Sequence, residues 1–244
     1  ACPRECGSCQ GRGAGVGLWC VGARGPTHGP RPAHRPARAK ARVSTEDVGL
    51  VLSATLSTDW NFPGSSCLLQ AALGIPGVAT LDVRNQCTGF VYGLSIADAF
   101  IQTGMMQHVL VVGSEVHSTG LDPTDRGRDV TVLFGDGAGA AVVSATEGES
   151  RILGSDLHAD GRQAKILHLL APASCRNPRL TAAMMEEGMH YPSMQGKAVF
   201  KHAVEHLPQT ICKVLADCGY TLDDLDLLVP HQANRRINEM VGRR

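Results

Sequence analysis

The chain has 244 residues, of which 43% are hydrophobic and 19% are charged. This composition excludes disorder along the whole chain, and the length suffices for one or two domains with a sizeable core. No apolar stretch approaches the ~18–20 residues that span a bilayer, which excludes an integral membrane protein. Basic and acidic residues balance at 23 each, which argues against a nucleic-acid-binding protein.

The balanced total conceals two segments of opposite charge. Residues 1–42 contain eight of the basic residues and one acidic residue, Glu5, so residues 43–244 are net acidic. Glycine and proline occupy 13 of these first 42 positions, and the segment has neither helical nor strand periodicity. We therefore expect residues 1–42 to be a disordered or non-native leader, mistranslated or wrongly joined to the rest.

The nine cysteines fall into two groups. In the leader, Cys6 and Cys9 with His28 and His34 suggest zinc as an alternative, but the outer spacings match no standard finger, and no metal site is predicted. The five later cysteines, at positions 67, 87, 175, 212 and 218, are irregularly spaced. They indicate reduced thiols in a cytoplasmic protein.

From residue 43 onward, strand patterns alternate with helical patterns. Apolar runs predict strands at 48–55, 78–83, 109–112, 131–134, 138–144 and 227–229. Helical spacing and end signals predict helices at 63–74, 88–104, 197–218 and 234–241. Such alternation implies βαβ crossovers and a mostly parallel sheet, so the predicted fold class is α/β. In these sheets the chemistry gathers at the carboxyl ends of the strands.

Two residues occupy such positions. Cys87 follows the strand 78–83 by four residues and directly precedes a helix, whose N-terminal potential predicts a lowered thiol pKa and a nucleophilic role. A buried structural cysteine is the alternative. His231 ends the strand 227–229 within the sequence PHQAN. The neighbouring amide side chains indicate a site that orients a polar ligand, and the alternative is a structural imidazole.

Several motifs then occur in register: LDVRNQCTGFVYGLSIADAFI, HVLVVGSEVHS, DPTDRG, FGDGAGAAVV, LHADG, GKAVFKHAVEHL and LLVPHQANRRI. Together they resemble β-ketoacyl-acyl-carrier-protein synthase III, a condensing enzyme of the thiolase superfamily, over roughly residues 43–244. The resemblance implies a homodimer with a thiolase-like fold of αβαβα layers, incomplete at both ends. It also implies two related halves, which we expect at 43–147 with the cysteine and 148–244 with the histidine.

The resemblance further implies an acyltransferase that needs no cofactor. Cys87 would accept the acyl group of an acyl-CoA primer, and His231 would hold the malonyl thioester oxygen during decarboxylation. The primer would then be condensed with malonyl-acyl-carrier protein to start fatty-acid synthesis. The residues implied to bind substrate or CoA are Phe62, Arg126, Phe200 and Asn234. Those implied to dock the acidic carrier protein are Lys201, Arg236, Arg243 and Arg244.

The sequence also departs from the family pattern. The family's catalytic asparagine lies beyond the position of Arg244, so we expect this 244-residue chain to be impaired. Asn85 and Gln86 replace commoner small residues, and Lys197 replaces a frequent asparagine. The alternatives are an incomplete fragment that keeps only dimer or carrier-protein contacts, and a related ketosynthase of polyketide or signal-molecule synthesis. A Cys–His hydrolase is a weaker third alternative.

Overall fold

A computed structural model describes the backbone of residues 13–21 and, with side chains, residues 43–243. The described residues form two compact units, which fall within Ala1–Val116 with Asp136–Ser155 and within His117–Gly135 with Asp156–Arg244. The predicted boundary between residues 147 and 148 divides the chain differently. The difference arises because residues 117–135 leave the first unit and the chain then returns to it.

The first unit is built on a five-stranded sheet in the order β1-β5-β4-β2-β3. Its strands are β1 (Gly13–Val21), β2 (Leu50–Ala54), β3 (Ala79–Val83), β4 (His108–Glu115) and β5 (Gly137–Thr146). β2 is parallel to β3 and β4, whereas β5 is antiparallel to β4 and to β1. The strands predicted around 48–55, 78–83, 109–112 and 138–144 are confirmed, but the sheet is mixed rather than mostly parallel.

β1 lies inside the segment that was expected to be disordered. Its residues pair with β5 from Gly13↔Thr146 to Val21↔Ala138. The expectation is therefore wrong for residues 13–21. Their backbone N–H and C=O groups form hydrogen bonds with the outer edge of β5, which would otherwise lack partners there. The rest of the leader, with Cys6, Cys9, His28 and His34, lies outside the described residues, as does Arg244.

Helices cover both faces of this sheet, as α/β folds require. On one face α1 (Ser65–Leu73) packs against the strands, and on the other α2 (Gly89–Gln102) does so. The buried residues of the α1 face include Val51, Leu69, Leu110, Val112 and Val142, and those of the α2 face include Leu52, Ala97, Ile101, Val109 and Val111. Both predicted helices are confirmed. The parallel strands β2, β3 and β4 end at one edge, where α2 begins.

The second unit is mainly helical. Its elements are α3 (Arg128–Thr131), α4 (Ala182–Glu186), α5 (Gly196–Asp217), α6 (Arg235–Val241) and an antiparallel ladder of β6 (Leu167–His168) and β7 (Ser193–Met194). α5 and α6 confirm the predictions at 197–218 and 234–241, and the two helices pack against each other. Among the described residues, no helix is long and apolar enough to cross a membrane.

Two predicted strands in the second unit are wrong. Residues 131–134 instead continue α3 into a turn, in which the Leu133 amide donates to the Val130 carbonyl and the Thr131 hydroxyl donates to the Asp122 carbonyl. Residues 227–229 run without a ladder, and Leu227 and Val229 are 74% and 72% exposed. A strand forms only where a neighbour takes up its backbone groups, and no described segment does so here.

Candidate active site

Cys87 lies on a sharp turn between β3 and α2. The turn is a single 3-10 segment, Gln86–Thr88, after which α2 begins at Gly89. Gln86 has φ of 47°, and among the described residues it is the only non-glycine with positive φ. Such a conformation costs about 1–3 kcal/mol and is held in place only by its surroundings. The strand–turn–helix arrangement leaves Cys87 exposed, as a nucleophile that receives a bulky group requires.

Asn85 and Thr88 support this turn. The Asn85 side-chain amide donates to the Thr88 hydroxyl over 2.9 Å, and that hydroxyl donates to the Asn85 carbonyl over 2.8 Å. The Thr88 backbone amide donates to the same carbonyl. Side chains that bond their own turn compete with continued helix or strand, so they stabilise the strained geometry around Cys87.

The turn rests on the ends of two neighbouring strands. A Cβ on Gly89 would lie 3.1 Å from the Ala54 side chain, at the end of β2. A Cβ on Gly113, near the end of β4, would lie 3.2 Å from the ring of Phe90. Glycine at these two positions therefore permits the close approach of α2 to the sheet. The position of Cys87 depends on where β2 and β4 end.

The expected lowering of the Cys87 pKa is wrong. Burial raises the pKa of the Cys87 thiol above its ordinary value of 9.0; a hydrogen bond to the residue's own backbone opposes this, and the Glu115 carboxylate adds to the increase. The residue as a whole is exposed, yet its sulfur is surrounded closely enough to lose hydration. Desolvation thus outweighs the stabilisation that this backbone hydrogen bond gives a thiolate. The resting group is a neutral thiol that must lose its proton to react.

His231 and Asn234 lie in the second unit, in the loop before α6. His231 is exposed, and partial burial of its ring lowers the pKa of the imidazole. The imidazole is therefore neutral at pH 7 and can donate one N–H while its other nitrogen accepts. The Asn234 side-chain oxygen accepts from the Arg236 amide over 2.9 Å and caps α6. This cap fixes the end of the PHQAN loop.

Arg126 is held by a network of contacts within the second unit. Its Nε donates to Asp122 over 2.6 Å and its Nη1 donates to the Glu186 carbonyl over 3.0 Å. Its Cζ lies 5.8 Å from the centre of the Tyr191 ring. Hydrogen bonds from Thr124, then from Arg126, lower the pKa of the buried Asp122 to about 2. A signal was present in the sequence, because Asp122 precedes Arg126 by four residues.

The remaining predicted site residues are spread over both units. Phe62 follows β2 in the first unit and is 85% exposed. Phe200 is half-buried on α5. Lys201 on α5, Arg236 on α6 and Arg243 after α6 are exposed. Sequence reasoning missed Glu115, at the end of β4, although its place at the carboxyl edge of the sheet was a usable signal.

Comparison with known families gives a consistent result. The family of 3-oxoacyl-[acyl-carrier-protein (ACP)] synthase III matches residues 81–161. A β-ketoacyl-[acyl-carrier-protein] synthase III of Caldanaerobacter subterraneus subsp. tengcongensis is 42% identical over 212 residues, which cover 87% of this chain and 63% of that protein. That of Rhizorhabdus wittichii is 43% identical over 213 residues, with the same shares. The chain thus spans less than two thirds of these curated relatives.

Solved structures show the same similarity. The 3-oxoacyl-[acyl-carrier-protein] synthase III of Aquifex aeolicus is 32% identical with a TM-score of 0.79, over 95% of this chain and 79% of that chain. The priming β-ketosynthase of the R1128 polyketide pathway is 27% identical with a TM-score of 0.76, over 95% of this chain and 76% of that chain.

Proposed function

Because the chain belongs to the β-ketoacyl-acyl-carrier-protein synthase III family, with its thiolase-type α/β fold, we propose that it transfers an acyl group from acyl-CoA to Cys87 and condenses it with malonyl-acyl-carrier protein. This condensation starts fatty-acid synthesis. The observation that carries the proposal is the exposed cysteine on a strained strand–turn–helix elbow at the carboxyl edge of the sheet.

The first half-reaction acylates Cys87. Once the thiol has lost its proton, the sulfur attacks the thioester carbonyl of acyl-CoA, forms a new C–S bond and expels CoA as a thiolate that takes up a proton. Since burial raises the pKa of Cys87, this deprotonation needs a base.

The second half-reaction forms the new carbon–carbon bond. The malonyl thioester loses CO₂, and the electron pair left behind forms an enolate whose carbon attacks the Cys87 thioester. Cys87 leaves as a thiolate and regains a proton, and the product is a 3-oxoacyl carrier protein. An N–H of His231 is proposed to stabilise the enolate oxygen, and one such donor typically contributes about 10²–10³ in rate. These steps require no cofactor beyond the two thioesters.

The binding roles follow the same proposal. The guanidinium of Arg126 is half exposed and offers a planar cation on which the CoA adenine can stack. Phe200 and Asn234 are proposed to line the path of the pantetheine arm, and Phe62 to reach the acyl pocket of a second copy in a homodimer. Lys201, Arg236 and Arg243 are proposed to provide positive charge for binding an acidic carrier protein. The 244-residue chain itself is proposed to act in the cytoplasm.

A second candidate is a priming ketosynthase of polyketide synthesis. The similarity to the R1128 enzyme, at 27% identity, is the observation that supports it. Both candidates use the same acylation of Cys87, and they differ in the carrier protein that receives the acyl group. Condensation rates with a fatty-acid carrier protein and with a polyketide carrier protein separate them.

The test of the proposed function is acylation of Cys87 by acetyl-CoA. Intact-mass analysis should show one added acetyl group on the wild-type chain and none on Cys87→Ala. Cys175→Ala and Cys212→Ala are matched controls, because these cysteines are also exposed. Equal labelling of wild type and Cys87→Ala would refute the nucleophile assignment.

A further inference from the structure

We propose that Glu115 is a positioning residue for Cys87, because it ties the carboxyl end of β2 to that of β4 beneath the Cys87 turn. The role rests on the proposed function of Cys87 as the acyl acceptor. Glu115 affects the reaction indirectly, by fixing the backbone that supports the Cys87 turn.

Both carboxylate oxygens of Glu115 accept hydrogen bonds from the segment that follows β2. Oε1 accepts from the Leu56 amide over 2.8 Å. Oε2 accepts from the Ser57 amide over 3.1 Å and from the Ser57 hydroxyl over 2.8 Å. That hydroxyl in turn accepts from the Val116 amide over 2.7 Å. Bonds to an ionised acceptor are about twice as strong as neutral ones, so one side chain holds this segment in a single conformation.

This connection begins where the ladder between β2 and β4 ends. The parallel ladder between β2 and β4 stops at the pair Ala54↔Gly113. Beyond this pair, no ladder hydrogen bond joins the segment after β2 to the end of β4, so other groups must hold them together. Glu115 and Ser57 supply that junction immediately after the last ladder pair.

The same ends form the support for the Cys87 turn. Gly89 lies against Ala54, and Phe90 lies against Gly113, so the first turn of α2 rests on the last residues of the two strands. The Thr55 amide also donates to the Val83 carbonyl, which links this segment to the strand that leads into the Cys87 turn. A shift of residues 55–57 therefore reaches Cys87 from both sides of the turn.

The negative charge of Glu115 does not favour the reactive, ionised form of Cys87. A carboxylate near a thiol disfavours the thiolate, and Glu115 indeed raises the pKa of Cys87. Its favourable contribution comes from its two acceptor oxygens. A glutamine would provide one acceptor oxygen and would direct an NH₂ group towards a backbone donor.

Two variants separate position from charge. Glu115→Gln removes the charge and one acceptor, whereas Ser57→Ala removes the hydroxyl that links Glu115 Oε2 to the Val116 amide and leaves the charge. We expect both variants to lower the maximal rate of Cys87 acylation by acetyl-CoA about tenfold, with little change in the half-saturating concentration. Glu149→Gln, an exposed glutamate of the same unit, is the matched control. A faster reaction in Glu115→Gln with an unchanged Ser57→Ala would overturn the proposal and show that charge alone acts.

A second measurement does not depend on acyl transfer. Hydrogen exchange of the amides in residues 84–90 should be faster in Ser57→Ala and Glu115→Gln than in the control. Unchanged exchange in both variants would contradict the positioning role. If wild-type Cys87 reacts with iodoacetamide but is not acylated by acetyl-CoA, the proposed function fails, and hydrogen exchange still decides the role of Glu115. If Glu115→Gln does not fold, the acylation rate and hydrogen exchange of Ser57→Ala alone test the positioning role.

Discussion

The backbone of Gly188 lies over the guanidinium of Arg126. A Cβ at position 188 would stand 2.5 Å from Cζ and 2.8 Å from each terminal nitrogen, and these similar distances place it over the face of the group. Gly188 also has φ of 75°, a conformation that L side chains rarely adopt. Glycine therefore allows Arg126 to lie where Asp122 and the Glu186 carbonyl bind it, with one face covered by backbone.

Replacing this glycine should weaken recognition of the nucleotide part of CoA. Gly188→Ala displaces the flexible end of Arg126, so we expect KM for acetyl-CoA to rise about five- to tenfold. KM for an acetyl-pantetheine thioester, which has no nucleotide, should change little. Gly161→Ala is the control, because a Cβ there meets no atom within 4 Å. An equal increase with both donors would indicate a general loss of structure.

Asp122 should make stability depend on pH in the acid range. Its pKa is about 2 in the folded protein against an ordinary value of 3.8. Ionised Asp122 therefore stabilises the fold above pH 3.8, and this contribution is lost as the pH falls towards 2. The difference in unfolding free energy between wild type and Asp122→Asn, measured by urea titration, should shrink over this range. In the Arg126→Gln background the dependence should weaken, since a donor to the carboxylate is gone. A difference that stays constant from pH 5 to pH 2 would contradict this assignment.

The thiol of Cys87 should react slowly at neutral pH. Because burial holds its pKa above 9.0, the thiolate that reacts with iodoacetamide is scarce at pH 7. The rate of Cys87 alkylation, followed by peptide mass spectrometry, should rise with a midpoint above pH 9.0. Free cysteine under the same conditions is the reference. A midpoint below that of free cysteine would restore the original expectation of a helix-stabilised thiolate.

Gly93 should tolerate no side chain. A Cβ there would lie 2.9 Å from Leu52 and 2.9 Å from Val111, both buried in the sheet beneath α2. We expect Gly93→Ala to lower the free energy of unfolding by about 1–3 kcal/mol, although alanine favours helix. Thermal or urea denaturation measures the loss. Gly135→Ala is the control, because its Cβ would meet open space. An unchanged or higher stability in Gly93→Ala would show that α2 can move away from the sheet.

Arg236 should contribute to carrier-protein binding. It is exposed on α6, which packs against the helix that carries Lys201. Arg236→Glu should weaken binding of an acidic carrier protein about threefold to tenfold at low salt, and the difference should decrease as salt is added. Lys165→Glu, an equal change of charge at another exposed position of the second unit, is the control. Similar losses in both variants would indicate an effect of net charge rather than of a docking surface.

The sequence by itself determined the elements whose signals are local. The strands β2, β3, β4 and β5 and the helices α1, α2, α5 and α6 follow from apolar runs, helical spacing and end signals that lie within each segment. The place of Cys87 between a strand and a helix was readable for the same reason.

Tertiary structure decided the features that depend on groups far apart in the chain. Residues 227–229 have the composition of a strand but no described neighbour to pair with, whereas β1 pairs with β5 from a segment without strand periodicity. The pKa of Cys87 rises because desolvation and Glu115 act on it together, and neither is visible in the residues around it. Likewise, the need for a glycine at position 188 arises from its close approach to the Arg126 guanidinium, which is distant in the sequence. Hydrophobic periodicity is a property of a single segment. Strand pairing, burial and electrostatic contact each need two segments, and these segments meet only when the chain folds.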